Sequence, residues 1–456
     1  MKYYILVIGC QMNYSDAERI SQTLNQYDGQ QVNKEKDADV IFVVSCSVRQ
    51  KAMDKIYGRI KKWQAKRKDH NVKIILTGCV LPADRKKLKE NFDIFIEIKD
   101  LNKLPTLLKL SRSINKNSLT NADYLAFKPN YSSKFQAYIP IMTGCNNYCT
   151  FCAVPYTRGQ EASRPSSEII KEIELLLKKG YKEITLLGQN VNAYLDPDMK
   201  HAKEIVKSRS KQYWEFNYDQ PIQKRMASTN VAKDFATLLK KINNLPGDFW
   251  IRFLSSNPQD ISNELIKVLA ECKKIAPYFH FALQSGDDEI LRKMNRRHTS
   301  NDYTQLVKKI RKAKPGIAIS TDIIVGFSGE TKKQFTNTVK IMKKIKFDMA
   351  YLAEYSTRPG TTAEKFFKDN ISNKEKRLRK DKLNDILEDS AKNINKKIIG
   401  ETVPVLVEKY NTKKKLNIGK TNTYKTIYFT GENLIGNFIN VQVTKADAWG
   451  LHGKLK

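Results

Sequence analysis

The sequence has no long apolar run and no even spacing of cysteines, and each of these absences argues against a class of protein. Its five histidines are scattered, so none is proposed as a metal ligand. No stretch approaches the roughly 18 consecutive apolar residues of a membrane span, so we expect a protein without a membrane partner. The seven cysteines are not spaced as in a secreted disulfide scaffold. They are typical of thiols kept reduced in a cytosol, which predicts a cytoplasmic protein.

Acidic residues are also scarce relative to basic ones. Lys and Arg together number 81 against 48 Asp and Glu, which gives a formal net charge of +33. Such a charge attracts polyanions and makes nucleic acid the first partner to consider. The basic residues are mostly lysine and are spread over the whole chain, which also fits solvated helix faces. Composition alone leaves both interpretations open.

Three short β-branched runs, each ending in a cysteine, follow one another near the start of the chain: YYILVIGC, DVIFVVSC and KIILTGC. Helical segments separate them, which predicts an α/β fold class with a parallel βαβ domain over residues 1–125. Parallel strands end at one sheet edge, where open α/β sheets bind ligands, so we expect their cysteines to lie together. These are Cys10, Cys46 and Cys79. The alternative is three separate core cysteines, since free cysteine is commonly buried.

Strand-like and helical segments alternate again over residues 135–370, with six strand-like runs in all. This pattern predicts a partial (β/α) barrel, whose chemistry belongs at the carboxyl ends of its strands. A polar insert near 196–230 interrupts the alternation, and such inserts are usually either functional or disordered. A long charged helix is predicted for 371–399, opening with a capping box between Ser372 and Glu375. The alternating strands of 400–456 fit a small β-barrel.

A second group of cysteines, Cys145, Cys149 and Cys152, follows the first strand of the central segment in the pattern C-x-x-x-C-x-x-C. No fourth cysteine or histidine lies nearby to complete a zinc site. A cubane iron–sulfur cluster has four irons, so three thiolates leave one iron open to another ligand. A zinc loop with a distant fourth ligand is the alternative. Cys272 lies in a predicted helix and is interpreted as structural.

The cysteine spacing, with the aromatic Phe151 before the last cysteine, resembles the radical S-adenosylmethionine superfamily. The whole chain resembles the methylthiotransferase family within it, which joins an N-terminal three-cysteine domain, a radical S-adenosylmethionine barrel and a C-terminal TRAM domain. The motifs that carry the resemblance are GCQMNYSD (9–16), SCSVRQKA (45–52), GCNNYCTFCAVPYTRGQEASR (144–164), LLGQNVNAY (186–194), LQSGDDEILRKMNR (283–296), TDIIVGFSGET (321–331) and YSTRPGTTA (355–363).

The segments CSVRQKA, VPYTRG and GQNVNAY are most similar to the tRNA-modifying branch of that family. That branch methylthiolates carbon 2 of isopentenyladenosine beside the anticodon. Sister branches act on threonylcarbamoyladenosine in tRNA or on a ribosomal protein. The resemblance therefore implies an enzyme that acts on a tRNA anticodon stem-loop, with the sister substrates as alternatives. A non-catalytic, metal-bearing RNA-binding protein is the alternative from another class.

The resemblance also implies the cofactors: S-adenosylmethionine, used twice, and two [4Fe-4S] clusters. One cluster makes the radical, and the other carries the sulfur that is transferred. The implied ligands are Cys145, Cys149 and Cys152 for the radical cluster and Cys10, Cys46 and Cys79 for the auxiliary cluster. The family further implies an electron donor like flavodoxin or ferredoxin and a sulfur donor, and nothing in the sequence demands more than a monomer.

Four further residues are candidates for contact with S-adenosylmethionine by the same resemblance. Phe151 would face the adenine, Gly188 and Gln189 the methionine end, and Gln284 is a weaker candidate. Their alternatives are a plain core residue for Phe151, a turn glycine for Gly188 and a barrel-top hydrogen-bonding residue for Gln284.

Two arginines, Arg158 and Arg164, follow the loop that carries Cys145, Cys149 and Cys152. They are candidates for binding substrate phosphate or a cofactor carboxylate, because guanidinium suits bidentate anion contacts. An ordinary salt bridge is the alternative for each.

Three stretches depart from the family pattern. The insert near 196–230 is longer than the family leads us to expect, and FLSSNPQD (253–260) stands where the tRNA branch has TSHP. In the TRAM pattern, Lys420 stands where arginine is more usual. The first two departures bear on the identity of the substrate.

Overall fold

The computed structural model describes residues 1–48, 50–70, 72–110, 121–199 and 234–456, with no side chains described at 68–70 and 121–123. Residues 200–230 of the predicted insert therefore lie outside the described residues. Among the described helices, none combines the length and the apolar character that crossing a bilayer requires.

The N-terminal part is a five-stranded parallel sheet in the order β2-β1-β3-β4-β5. The prediction of three parallel strands is confirmed, and two-residue edge strands flank them. The central strand β3 is buried along its whole length and has apolar residues on both sides, and more than one helix packs on each face. The elements are β1 (Lys2–Ile8), α1 (Gln11–Asn25), β2 (Gln30–Gln31), β3 (Val40–Cys46), α2 (Gln50–His70), β4 (Lys73–Cys79), α3 (Pro82–Leu88), β5 (Ile94–Phe95), α4 (Leu104–Leu107) and α5 (Asn121–Ala126).

All six predicted strands of the central part are present, as two parallel three-stranded sheets. Isolated parallel bridges, Ile251 with Ile275 and Ser256 with Phe281, join the sheets into a partial barrel. Its elements are β6 (Gln136–Pro140), β7 (Met142–Thr143), α6 (Val154–Arg158), β8 (Ala162–Ser163), α7 (Ser166–Lys178), β9 (Glu183–Leu187), α8 (Asp234–Asn243), β10 (Trp250–Phe253), α9 (Asn263–Glu271), β11 (Tyr278–His280), α10 (Asp288–Lys293), α11 (Ser300–Ala313), β12 (Ala318–Val325), α12 (Lys332–Ile345), β13 (Met349–Glu354) and α13 (Thr362–Phe366). The six strands of the two sheets are β6, β9 and β10, and β11, β12 and β13.

The long helix α14 (Asn373–Lys396) packs Leu383 and Leu387 into the core of the central barrel. At its N-terminus the Ser372 hydroxyl accepts a hydrogen bond from the Glu375 backbone N–H. The predicted capping box is wrong in its second half, because the Glu375 carboxylate pairs with Arg379 one turn later, at 2.9 Å. The helix also reaches the C-terminal part, where the Asn395 amide donates to the Asp447 carbonyl at 2.8 Å.

The C-terminal part is a closed five-stranded barrel, as predicted, with strands β14 (Thr402–Asn411), β15 (Leu416–Thr421), β16 (Thr426–Thr430), β17 (Phe438–Ala446) and β18 (Leu451–Leu455). It docks at the amino ends of the central strands, opposite the cysteine loops. Arg252 of β10 donates to the Asn422 and Thr421 carbonyls, at 2.9 Å each. Lys425 pairs with Asp348, just before β13, at 2.6 Å.

Candidate active site

Six of the seven cysteines line one cavity of about 400 Å³ between the N-terminal sheet and the central barrel, which we call the central cavity. These six are Cys10, Cys46, Cys79, Cys145, Cys149 and Cys152. The seventh, Cys272, caps the end of α9 and is buried in the core of the central barrel, which agrees with its structural interpretation. The topology thus brings together two groups of three thiols that lie far apart in the sequence.

The N-terminal trio occupies the carboxyl edge of the parallel sheet. Cys46 and Cys79 are the last residues of β3 and β4 and lie directly opposite each other in register. Cys10 follows β1 and is the N-cap of α1. The edge placement that the sequence predicted from the sheet-edge rule is therefore present.

Asn13, on the first turn of α1, holds this trio together. Its side-chain oxygen accepts from the Cys10 backbone N–H at 3.1 Å, and its amide nitrogen donates to the Ser45 carbonyl at 3.3 Å. The turn at Cys79 needs glycine, since Gly78 has φ +98° and a Cβ there would lie 2.3 Å from the Ser45 oxygen. Backbone and side chain together fix where the three sulfurs point.

The second trio lies in the loop after β7, at the top of the central barrel. Gly144, at φ +80°, turns the chain into this loop, and a Cβ there would lie 2.0 Å from the Gln160 carbonyl oxygen. The segment after α10 supports the loop from below. Asn295 donates to the Tyr148 carbonyl at 3.1 Å, and Arg296 donates to the Cys149 sulfur at 3.5 Å.

Burial makes two of these thiols, Cys145 and Cys152, poor acids unless a cation joins them. Burial raises the pKa of Cys145 well above its ordinary value and that of Cys152 to about 12, and the neighbouring Cys149 adds to both shifts. Cys79 also raises the pKa of Cys152, so the two trios are within electrostatic reach of each other. Thiolates are the metal-binding form, so a bound metal centre would have to supply the compensating positive charge.

The four predicted cofactor residues all line the central cavity. Phe151 faces it while packing against the apolar cluster of Ile290 and Met294, so its core alternative also has support. At Gly188 a Cβ would lie 2.5 Å from the Met142 side chain. Gln284 sits in the left-handed region at φ +72°. The Gln189 side-chain oxygen is buried and finds no hydrogen-bond donor in the described part of the chain.

Aromatic side chains line the opposite end of the cavity, and one of them comes from the C-terminal barrel. Tyr424 packs on Tyr278 with ring centroids 4.8 Å apart. The Arg252 guanidinium lies 4.9 Å from the Tyr424 ring and donates to Glu183 at 2.6 Å. His280 contacts Asp322 at 3.1 Å across the same wall. The cavity thus runs from six thiols at one end to a tyrosine-lined floor at the other.

Comparison with protein-family models divides the chain into three matched segments. Residues 2–97 match the uncharacterized protein family UPF0004, residues 139–342 the radical SAM superfamily, and residues 396–456 the TRAM domain.

Curated relatives match the chain end to end. A tRNA-2-methylthio-N(6)-dimethylallyladenosine synthase from Clostridium novyi (strain NT) is 38% identical over 471 residues, covering 100% of this chain and 96% of its own length. The chain belongs to this synthase family. Synthases of the same name from Dictyoglomus thermophilum and Buchnera aphidicola are 36% and 37% identical, each covering 98% of its own length and 100% and 99% of this chain, respectively.

Among solved structures, a radical S-adenosylmethionine methyltransferase, TsrM from Kitasatospora setae, is similar with a TM-score of 0.49 and 12% identity, over 80% of this chain and 74% of its own. The assignment to the synthase family comes from the sequence relatives and not from this likeness.

Membership of the radical S-adenosylmethionine synthases brings S-adenosylmethionine and a [4Fe-4S] cluster as cofactors. The residues present fit both. Three thiols in one loop supply the donor type that iron–sulfur clusters use. Beside them, the buried oxygens of Gln189, Asn190 and Ser256 have no hydrogen-bond partner among the residues the structure describes. Such unsatisfied buried groups indicate a polar ligand. The two amide oxygens only accept hydrogen bonds and match the amino group of S-adenosylmethionine, whereas the Ser256 hydroxyl can donate to its carboxylate.

The two arginines that the sequence singled out do not lie where an RNA phosphate would reach them. Arg164 is buried away from the residues that line the cavity and pairs with Glu172 at 2.6 Å. Because that pairing neutralises its charge, the structure does not favour the predicted anion contact. Arg158 does line the cavity, but its guanidinium pairs with the buried Asp16 at 2.5 Å. Its placement favours a contact with the cysteine site over one with substrate.

Sequence reasoning missed four residues that structure the synthase site: Asn13, Asp16, Arg296 and Tyr424. Asn13, Asp16 and Arg296 lie within motifs that carry the family resemblance, and Tyr424 lies within the segment that matches the TRAM domain, so the signal was present. What the sequence lacked was the spatial partner of each, since Asp16 meets Arg158 and Arg296 meets Cys149 across more than a hundred residues.

Proposed function

We propose that the chain is a tRNA methylthiotransferase that converts isopentenyladenosine beside the anticodon to its 2-methylthio derivative, with S-adenosylmethionine and two [4Fe-4S] clusters. One observation carries this proposal: two cysteine trios from separate parts of the chain line the same cavity. The names of the full-length relatives support the same substrate, since dimethylallyl is another term for isopentenyl.

The trio Cys145, Cys149 and Cys152 would hold the radical cluster, and Cys10, Cys46 and Cys79 the auxiliary one. When bound, the clusters and S-adenosylmethionine supply the electron, the radical and the transferable sulfur that no side chain provides. The residues of this chain do the positioning. Both trios open into one cavity, which supports transfer of sulfur to a carbon activated in that same space.

A zinc-bearing, non-catalytic RNA-binding protein receives less support. Within the described ranges, no three His, Cys, Asp or Glu side chains are placed to hold a single metal ion. Each trio instead borders a space shared with the candidate contacts for S-adenosylmethionine. That arrangement fits a larger centre with an open position better than a closed four-ligand zinc site.

The departure from the family pattern at FLSSNPQD bears on which methylthiotransferase substrate the chain binds, because Ser255, Ser256 and Asn257 line the cavity. Asn257 is fixed there, accepting from Arg296 at 2.9 Å and donating its backbone N–H to Asn192 at 2.9 Å. Because Asn257 is held in place, this part of the cavity wall would discriminate between the modified adenosines. Threonylcarbamoyladenosine and a ribosomal protein are therefore the substrates to examine if isopentenyladenosine fails.

The same proposal includes the partners that the reaction needs. These are the tRNA anticodon stem-loop, a flavodoxin- or ferredoxin-like electron donor, and a donor that restores the transferred sulfur. A cytoplasmic monomer would meet all three. The C-terminal barrel is the candidate for tracking RNA phosphates, since small basic barrels bind single-stranded nucleic acid through a charged groove.

Mass spectrometry of nucleosides tests the proposal. tRNA is taken from a bacterial host that lacks its own methylthiotransferase but retains isopentenyladenosine, with and without this gene. We expect 2-methylthio-isopentenyladenosine to appear with the gene and to disappear with Cys10→Ala or Cys145→Ala. Cys272→Ala is the matched control, because that cysteine is buried but lies outside the cavity.

Unmodified isopentenyladenosine in the presence of folded, iron-loaded protein would overturn the substrate assignment. Retention of the product in the Cys10→Ala variant would overturn the role of the N-terminal trio.

A further inference from the structure

Arg158 is a buried link between the two cysteine trios. It ends α6, the short helix just after Cys152, and its side chain is only 1% exposed. From there it crosses to the N-terminal sheet, where its Nε donates to the Cys79 sulfur at 2.9 Å. A residue of the helix that follows one cysteine trio therefore contacts a sulfur of the other trio directly.

Asp16 of α1 fixes the orientation of this guanidinium. The carboxylate accepts from both terminal nitrogens of Arg158, at 3.3 and 2.5 Å, and from the Asn13 amide at 3.1 Å. The Tyr124 hydroxyl completes the carboxylate's shell. The Asp16 side chain is fully buried. A planar guanidinium held in this fork has only one direction left for its Nε–H, which is toward Cys79.

The network reaches the rest of the N-terminal trio through Asn13. As described above, Asn13 binds the Cys10 backbone and the carbonyl of Ser45, the residue before Cys46. Arg158, Asp16 and Asn13 thus form one connected set of hydrogen bonds behind the three sulfurs. Partners of this kind orient metal ligands and tune the centre that the ligands hold.

A second buried arginine shows that docking the two parts of the chain does not by itself require a sulfur contact. Arg358, in the loop after β13, pairs with Asp84 of α3 at 3.3 Å and also contacts Gln50. Both arginines join the central barrel to the N-terminal part from buried positions, but Arg358 is absent from the residues that line the central cavity. Arg358 provides a matched comparison.

We infer that Arg158 is a positioning residue of the auxiliary site, which sets the reduction potential of the cluster held by Cys79 and its partners. The inference rests on the proposed function, because it needs a cluster on that trio. Hydrogen bonds to sulfur and nearby net charge are among the factors that set cluster potentials. A cationic donor at Cys79 favours the reduced, more negative cluster. Asp16 limits that effect by neutralising the cation.

The test uses the full chain with Cys145, Cys149 and Cys152 changed to Ala, so that only the N-terminal cluster remains. A redox titration followed by electron paramagnetic resonance gives its midpoint potential. Arg158→Gln should lower the equilibrium constant for reduction of the cluster by about tenfold, which makes the midpoint potential more negative by about 59 mV for one electron. Asp16→Asn should shift it in the positive direction. Arg358→Gln, which disrupts a similar buried pair, should leave it unchanged.

A second measurement does not depend on whether those variants fold. With [15N]arginine incorporated in the same background, a pulsed resonance spectrum of the reduced cluster should show coupling to an arginine nitrogen. Arg158→Lys should abolish that coupling.

The outcomes separate the two claims. If the background protein binds no iron and sulfide, the proposed auxiliary cluster fails. If the cluster forms but shows no arginine coupling, or if Arg158→Gln and Arg358→Gln shift the potential equally, the inference about Arg158 is overturned while the proposed function stands.

Discussion

Tyr424 of the C-terminal barrel packs on Tyr278 of the central barrel, with ring centroids 4.8 Å apart and planes inclined by 32°. The contact places a residue of the TRAM segment in the floor of the central cavity. The Arg252 guanidinium lies 4.9 Å from the centroid of the same Tyr424 ring and 4.9 Å from that of Trp250. The C-terminal barrel is therefore part of the cavity wall in addition to being a candidate RNA-binding module.

Truncating Tyr424 should destabilise the whole chain. Tyr424→Ala removes a large ring and leaves Arg252 without one of its two aromatic neighbours, so we expect a loss of about 3 kcal/mol in the free energy of unfolding. Tyr424→Phe keeps the ring and should change it by less than about 1 kcal/mol. Denaturant titration measures both. Equal stability of the alanine and phenylalanine variants would show that the ring does not hold the barrels together.

A side chain at position 188 should interfere with S-adenosylmethionine. The added Cβ of Gly188→Ala would lie 2.5 Å from Met142 Cγ, and the flexible methionine would have to move. Gly188 lines the cavity and Met142 is buried in the barrel core against it, so the displacement would alter the cavity wall. We therefore expect binding of S-adenosylmethionine to weaken by about tenfold or more, which is about 1.4 kcal/mol. Calorimetry on the cluster-loaded protein measures this affinity.

Gly58→Ala is the control for that substitution. Gly58 lies within α2, and a Cβ there meets no atom within 4 Å. We expect it to leave the affinity unchanged and to stabilise the fold by about 0.5–1 kcal/mol, because alanine is the better helix former. Weakened binding in this variant would mean that the assay reports general perturbation.

The stability of the fold should fall on mild acidification because of His298. Burial, followed by the nearby Arg296, lowers the pKa of His298 well below its ordinary value. As the pH falls through about 6.5, this histidine becomes protonated in the unfolded chain but stays neutral in the folded chain. The free energy of unfolding should therefore decrease as the pH falls below about 6.5, by up to about 1.4 kcal/mol per pH unit, until the lowered pKa is reached.

Denaturation of the chain and of a His298→Gln variant between pH 7.5 and pH 5 measures this contribution as a difference. The variant should lose less stability than the original chain over that range. Parallel curves for the two proteins would assign the acid sensitivity to other groups.

The sequence predicts the parts of this molecule that depend on regular patterns. The three β-branched runs that end in cysteine predicted three cysteines at one edge of a sheet, because the carboxyl ends of parallel strands lie at the same edge. The edge strands β2 and β5 were missed, since two residues are too few to show a periodicity. The capping box failed at Glu375 because Arg379, one turn along α14, competes for its carboxylate.

Contacts between separately folded parts could not be predicted in this way. Arg158 and Arg164 look alike in the sequence, yet one binds Asp16 at the cysteine site and the other binds Glu172 away from it. Glu172 of α7 neutralises Arg164 within the central barrel, whereas the pairing of Arg158 with Asp16 of α1 depends on how the N-terminal sheet docks on that barrel. Tyr424 entered the cavity for the same reason, through docking of the C-terminal barrel. Patterns within a segment do not contain that information.

Iron and acid-labile sulfide analysis, with Mössbauer spectroscopy of the anaerobically reconstituted chain, shows whether the two cysteine trios that share one cavity hold two clusters. We expect about eight iron atoms per chain, and about four when either the trio Cys10, Cys46 and Cys79 or the trio Cys145, Cys149 and Cys152 is changed to alanine. Only the variant that keeps the second trio should still cleave S-adenosylmethionine. About four irons in the unmodified chain, unchanged by loss of the N-terminal trio, or zinc in place of iron and sulfide, would contradict the assignment of two clusters.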